Sequence, residues 1–93
     1  MEFKVRGHLA KDKGRNVAGF YEVVFEDSFV VRGFLVVKNY KNKLDVLFPS
    51  VPDKREESGW RQLGYPITAE FRAALINEIL RTHLENVTLA QQE

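Results

Sequence analysis

Residues 48–68, FPSVPDKREESGWRQLGYPIT, divide the chain into the two parts that decide its fold. This stretch contains all three prolines and the only tryptophan. The sequence before it alternates as β-strands do, and the sequence after it has the periodicity of one α-helix. Since proline cannot donate to a strand ladder, we expect Pro49 and Pro52 to end the strand region. Lys54 and Arg55 lie where residues typical of turns are most frequent. We therefore expect this stretch to carry any functional surface that the sequence reveals.

Four strands are predicted ahead of this stretch. Residues 2–10 alternate between an apolar and a polar face, which is the period of a half-buried strand. Residues 17–26 are apolar on both faces, so we expect this strand to be central and covered on both sides. Further strands are predicted over residues 29–38 and 43–48. The connecting turns, at residues 11–16 (with Gly14), 26–28 and 39–42, are too short for parallel crossovers, which predicts an antiparallel sheet.

A single helix is predicted after the stretch. Thr68 is the expected N-cap, and Glu70 complements the helix dipole in the first turn. The pattern runs from Ala69 to about Leu84, and its apolar residues cover more than half of the circumference. Packing on one sheet needs an apolar arc of only about 100°. We therefore expect the helix to contact a second body as well, most simply another subunit.

Together these patterns predict an α+β fold: a small antiparallel sheet of four to five strands with one C-terminal helix packed on it. A short edge strand over residues 60–65 is the candidate for the fifth strand. At 93 residues the chain is predicted to form one domain, over residues 1–87, followed by a frayed tail over residues 88–93.

Composition limits the classes of function. The absence of cysteine excludes disulfides and zinc sites built from cysteine. No apolar run approaches 18 residues and no basic-then-apolar leader is present, so we expect a cytoplasmic protein without a membrane partner. A DNA-binding role would also allow a location at the nucleoid. Residues 1–43 carry nine Lys and Arg against five Asp and Glu, whereas residues 68–93 carry two against four. This split can steer an anionic ligand to the strand half.

Signatures of catalysis and of metal binding are lacking in the sequence. It has no nucleophile-elbow motif and no Gly-rich phosphate loop, and Ser28, Ser50 and Ser58 all fall in predicted turns or loops. His8 and His83 stand on different elements, without the spacing of a metal-ligand set. The sequence therefore predicts a protein that is not an enzyme and has no catalytic residue, metal site, cofactor or small-molecule substrate.

Basic residues beside aromatic ones are the remaining signal. Two such groups occur: Lys38, Lys41 and Lys43 around Tyr40, and Lys54, Arg55 and Arg61 around Trp60. Lysine and arginine neutralise phosphates, and exposed aromatic rings stack on unpaired bases. Lys-rich turns are also common on soluble proteins, and a tryptophan is often a core anchor, so the residues alone leave both interpretations open. The acids Glu56 and Glu57 reduce the positive field beside Arg55.

The order of residues in and around the opening stretch resembles the stage V sporulation protein G (SpoVG) family, the bacterial septation regulators. The resemblance covers about residues 1–85. The matching pieces are Phe29-Val30-Val31 after an acidic turn, Phe48-Pro49-Ser50, Lys54-Arg55, Gly59-Trp60-Arg61, and Pro66-Ile67 leading into a helix with Arg72. The chain departs from the family pattern at Phe48, Gln62 and Tyr65 and in the loop Glu56-Glu57-Ser58-Gly59.

This resemblance implies a homodimer that binds DNA, and RNA as well, in the regulation of gene expression, cell division or sporulation. The basic residues that match the family pattern are Lys54, Arg55, Arg61 and Arg72. For Arg72, the alternative to direct contact is that it braces the loop by pairing with an acid. The alternative function for the whole chain is a protein-interaction module in cell division or regulation that does not itself bind nucleic acid.

Overall fold

The computed structural model describes residues 1–11 and 16–91. It confirms the predicted α+β class: a four-stranded antiparallel sheet, a separate two-stranded hairpin and one C-terminal helix that packs on the sheet. In chain order the elements are β1 (Phe3–Leu9), β2 (Val17–Phe25), β3 (Phe29–Lys38), β4 (Leu44–Leu47), β5 (Ser50–Pro52), β6 (Trp60–Gln62) and α1 (Ala69–Gln91). The predicted turn with Gly14 falls mostly on residues 12–15, which lie outside the described residues.

The main sheet has the order β1-β2-β3-β4, so each strand pairs with its neighbour in sequence. The β2–β3 turn is tight: Glu26 and Asp27 have φ angles of 51° and 52°, and the N–H of Ser28 donates to the carbonyl of Phe25 at 2.9 Å. Two consecutive positive φ angles are the geometry of a type I′ turn, whose twist matches that of a hairpin. Local turn chemistry therefore produces the antiparallel order that the short connections predict.

The fifth predicted strand does not join the main sheet. Its first residues form β6, which pairs with β5 in an isolated hairpin. The sequence did not predict β5, because Pro49 and Pro52 indicated the end of strand pairing. Pro52 is compatible with β5 because each strand of a two-stranded hairpin has one unpaired edge. A proline can stand where the N–H would point to that edge, because no ladder hydrogen bond is lost there.

Helix α1 packs against one face of the main sheet. The apolar core between them consists of Tyr21, Val23, Phe34, Val36, Phe48, Leu75 and Ile79. The opposite face, which we call the open face, carries Arg6, Phe20, Glu22, Arg32, Leu35 and Leu47. The expectation that β2 is covered on both sides is therefore wrong: β2 is central, but Phe20 on its open side is 44% exposed because one helix can cover only one face.

The helix begins as predicted and ends later than predicted. The N–H of Phe71 donates to Oγ1 of Thr68 at 3.2 Å, which confirms Thr68 as the N-cap. The helix continues past Leu84 to Gln91, so residues 88–91 of the expected tail are helical. In the described part of the chain, no helix is both long and apolar enough to cross a membrane.

Candidate nucleic-acid interface

The hairpin of residues 50–62, which we call the arm, carries three of the predicted basic residues. Lys54 and Arg55 lie in its turn, and Arg61 lies on β6. All three side chains are exposed. The arm follows directly from the end of β4, where the N–H of Leu63 closes its base by donating to the carbonyl of Pro49 at 2.7 Å. The structure thus brings these three residues together on one short element.

Asp53 organises the two arginines of the arm. Its Oδ1 accepts from the backbone N–H of Arg55 at 2.9 Å and lies 3.2 Å from Nε of Arg55. Its Oδ2 lies 3.1 Å from Nε of Arg61, on the opposite strand of the arm. Hydrogen bonds from the Arg55 side chain, and then from its backbone, lower the pKa of Asp53 below the ordinary value. Both arginines therefore converge on one carboxylate, whose side chain is only 9% exposed.

Sequence reasoning missed Asp53. It identified Glu56 and Glu57 as the acids that weaken the local field, and both are exposed. The local signal was present, because aspartate at the start of a turn commonly accepts from the N–H two residues ahead, as Asp53 does from Arg55. The contact with Arg61 has no such local signal, since it depends on the pairing of β5 with β6. With three basic residues and the acids Asp53, Glu56 and Glu57, the arm is formally neutral.

Trp60 lies on β6 of this arm and is largely exposed. Trp60 is 57% exposed, so it is not a core anchor, which was the alternative interpretation of this tryptophan from the sequence. The hydroxyl of Ser58 donates to the carbonyl of Trp60 at 3.0 Å and accepts from its N–H at 3.2 Å. The N–H of Asp53 donates to the carbonyl of Gly59 at 2.9 Å, which closes the turn. An ordered backbone thus presents an exposed aromatic ring.

The second predicted group lies in the β3–β4 turn, residues 38–43, which we call the lysine turn. Asn39 shapes it: Oδ1 accepts from the N–H groups of Lys41 and Lys43 at 2.9 Å and 3.0 Å. Tyr40 is 92% exposed, and Nζ of Lys41 lies 5.6 Å from the centroid of its ring. Lys38, at the end of β3, is also exposed. Since the lysine turn itself contains no acid, it is more basic than the arm.

Arg72 belongs to neither the arm nor the lysine turn. It lies in the first turn of α1, with its guanidinium carbon 5.1 Å from the centroid of the buried Phe48 ring. This is a cation–π geometry. Within the described residues its partner is thus an aromatic ring, whereas the predicted brace invoked an acid. This contact joins the start of α1 to Phe48, the residue that follows β4.

The lysine turn and the arm lie at opposite ends of β4. This strand has four residues, which corresponds to roughly 13 Å along its axis. The sequence-predicted residues therefore form two patches rather than one. A third group of basic residues, Arg6 and Arg32 on the open face, was not singled out from the sequence. Their Nε atoms lie 2.7 Å and 3.6 Å from the two carboxylate oxygens of Glu22.

The two histidines differ in their environments. His8 is exposed on β1, and the centroid of its ring lies 5.7 Å from that of Phe20. His83 is only 3% exposed and lies between α1 and the sheet. Among residues 1–11 and 16–91, no group of three or more His, Cys, Asp or Glu side chains is placed to hold a metal ion.

Comparison with known proteins supports the resemblance in the sequence. The SpoVG family model matches residues 1–85. A curated protein of Acholeplasma laidlawii named "Putative septation protein SpoVG" is 30% identical over 80 residues, which is 86% of this chain and 80% of that protein. Proteins of the same name from Archaeoglobus fulgidus and Treponema denticola are 29% and 25% identical, over 88% and 86% of this chain and 92% and 83% of their own lengths.

Proposed function

The chain belongs to the SpoVG family, and from this premise we propose that it is a non-catalytic regulator of the septation type that binds nucleic acid through its basic loops. The observation that carries the proposal is the pairing of exposed aromatic rings with basic side chains. Nζ of Lys41 lies 5.6 Å from the centroid of the Tyr40 ring in the lysine turn, and the exposed Trp60 directly precedes Arg61 in β6 of the arm. Exposed rings of this kind can stack on bases while the neighbouring cations contact phosphates.

The two patches have different roles in this proposal. The lysine turn supplies net positive charge and therefore most of the attraction to the phosphate backbone. The arm is formally neutral, with Arg55 and Arg61 already paired to Asp53, so it contributes contacts of defined geometry. Helix α1 is a poor element for a DNA groove because the exposed Glu70 and Glu85 would repel phosphates.

Fluorescence anisotropy tests this function. Labelled single-stranded and duplex DNA and RNA are titrated with the protein over a series of salt concentrations. In the double variant Lys41→Gln/Lys43→Gln we expect weaker binding, and the slope of log affinity against log salt should decrease by about 1 for each phosphate that the variant no longer neutralises.

The control is Lys4→Gln/Arg6→Gln, which removes the same charge from two ion pairs on β1, the edge strand farthest from β4. This variant should bind nucleic acid as the parent protein does. Failure of the parent protein to bind any of the four nucleic acids at low salt would overturn the proposal.

We further propose that the protein acts as a homodimer in which α1 contacts the second copy. Leu84 and Leu89 are 55% and 61% exposed on the later turns of the helix, together with Arg81 and Glu85 at the same shallow groove. A dimer would present each basic patch twice, which raises avidity through effective concentration. Light scattering at micromolar concentration tests this, and a Leu84→Glu variant should be monomeric. A monomeric parent protein would contradict the dimer, and a monomer that also fails to bind nucleic acid would favour the protein-interaction module.

A further inference from the structure

A groove runs between the arm and the open face of the sheet, with a volume of about 990 Å³. Leu35 and Leu47 of the open face and Trp60 of the arm give it an apolar lining. Leu47 and Trp60 are 48% and 57% exposed, so this lining is available to a ligand. Polar and charged residues line it as well, among them Ser50, Gln62, the acid Glu56 and the basic Arg61.

This mixture of apolar and polar lining distinguishes the groove from a second cleft among the described residues. A cleft of about 330 Å³ at the start of α1 is lined almost entirely by apolar side chains such as Phe34, Phe71 and Leu75. The groove instead combines an indole ring with hydrogen-bonding groups that include donors and acceptors. A flat aromatic ring with polar edges matches such a lining, and a nucleobase has this chemistry.

The charges on the arm indicate which part of a nucleic acid would enter. Since the arm is formally neutral, release of counterions by phosphate contacts can contribute little there. Glu56 would repel a phosphate in the groove, but its carboxylate can accept a hydrogen bond from an exocyclic amino group of a base. The groove holds one acid, Glu56, and one basic residue, Arg61, which is already paired with Asp53. This balance favours an arrangement with bases in the groove and phosphates outside it.

We propose that the groove takes unpaired bases of a single-stranded nucleic acid, with the Trp60 ring as the stacking surface. The inference rests on the proposed function and narrows it to single strands. In a duplex the faces of the bases are stacked on one another and their pairing edges are occupied, so a duplex cannot offer them to the groove. DNA and RNA strands share the base chemistry on which the groove acts.

Trp60 makes this inference directly measurable, because it is the only tryptophan in the chain and its emission reports on the groove alone. An unlabelled 20-nucleotide deoxycytidine strand, whose bases carry an exocyclic amino group, should quench the emission with the same midpoint that anisotropy gives for the labelled strand. A duplex of equal length should bind more weakly and leave the emission nearly unchanged. The Trp60→Ala variant should bind the single strand about 5- to 160-fold more weakly, the range expected for one stacked base, and Trp60→Phe should recover much of this affinity.

The control is Phe29→Ala, which removes an exposed aromatic ring (66% exposed) at the β2–β3 turn and should keep single-strand affinity. Circular dichroism checks that each variant is folded. Binding of the labelled strand with unchanged Trp60 emission, together with full affinity in Trp60→Ala, would overturn the groove while leaving the proposed function standing. Equal or tighter binding of the duplex would also overturn it. No binding of either form would overturn the proposed function and the groove together.

Discussion

The hydroxyl of Tyr21, on the central strand β2, lies 2.8 Å from Nδ1 of His83 on α1. The amide of Asn86 also donates to this hydroxyl, at 3.3 Å, so the Tyr21 O–H is free to donate to the ring nitrogen. Tyr21 and His83 are each only 3% exposed. This polar contact within an apolar core connects the helix to the central strand of the sheet.

Replacing Tyr21 by phenylalanine should lower the free energy of unfolding by about 1–3 kcal/mol, because the buried Nδ1 of His83 then has no hydrogen-bond donor. Urea unfolding followed by circular dichroism measures this. Tyr40→Phe removes the same hydroxyl from a side chain that is 92% exposed, and its stability should equal that of the parent. Equal destabilisation of the two variants would show that the Tyr21–His83 contact does not stabilise the fold.

His83 should make stability depend on pH. Burial, and then the positive charge of Lys38, lower the pKa of His83 below its ordinary value. The unfolded chain, in which histidine titrates near about 6.5, therefore binds this proton more readily than the folded protein does. The stability that neutral, buried His83 contributes to the folded state is fully present above about pH 6.5. It decreases as the pH falls toward the lowered pKa of His83 in the folded state.

Urea unfolding between about pH 5 and pH 8 checks this dependence. The lower limit stays above the range in which Asp53 and Glu78, whose pKa values are lowered by hydrogen bonds from Arg55 and Arg81, would contribute. We expect His83→Asn to be less stable than the parent and to show a flatter pH profile. His8→Asn changes the other histidine, which is exposed, and should retain the profile of the parent. If His8→Asn flattened the pH profile of stability and His83→Asn did not, the pH dependence would belong to His8 and the prediction for His83 would be wrong.

Gly33 should not tolerate alanine. It has a φ of 104°, at the point where the β2–β3 register shifts between Tyr21 and Glu22. A Cβ there would strain the backbone and would lie 3.3 Å from Cβ of Pro49, so we expect stability to fall by about 1–3 kcal/mol, visible as a lower Tm. At Gly64 a Cβ would meet no atom within 4 Å, and Gly64→Ala should change stability by less than about 0.5 kcal/mol. Similar Tm values for the two variants would contradict the strain at Gly33.

Removal of the Asp53 carboxylate should loosen the arm without unfolding the domain. In Asp53→Ala the N–H of Arg55 has no side-chain acceptor, and Arg55 and Arg61 are no longer held together. We expect faster hydrogen exchange at the amides of Arg55 and Gly59, with unchanged exchange in β2. Glu57→Ala is the control, since this exposed acid is not needed for the turn. Protection at Arg55 that survives in Asp53→Ala would show that the backbone alone holds the arm.

Local patterns were enough to predict most of the fold. The alternation of residues 2–10 became β1, the short turns produced the antiparallel order, and Thr68 capped the helix because its hydroxyl needs only the N–H three residues ahead. The same patterns did not predict which strands pair in the arm. The hairpin of β5 with β6 was missed because a proline that ends a wide sheet can still stand on the free edge of a hairpin.

The class of this protein could be read from the amino-acid order alone: an α+β domain of the SpoVG family, with basic residues grouped beside Tyr40 and Trp60. How those residues are arranged depends on the folded chain. Folding paired Arg61 with Asp53 across the arm, separated the arm from the lysine turn by the length of β4, and placed Trp60 against a groove. The difference lies in separation along the chain. Periodicity and capping depend on residues a few positions apart, whereas charge pairing and grooves depend on which strands meet, and no local pattern specifies that.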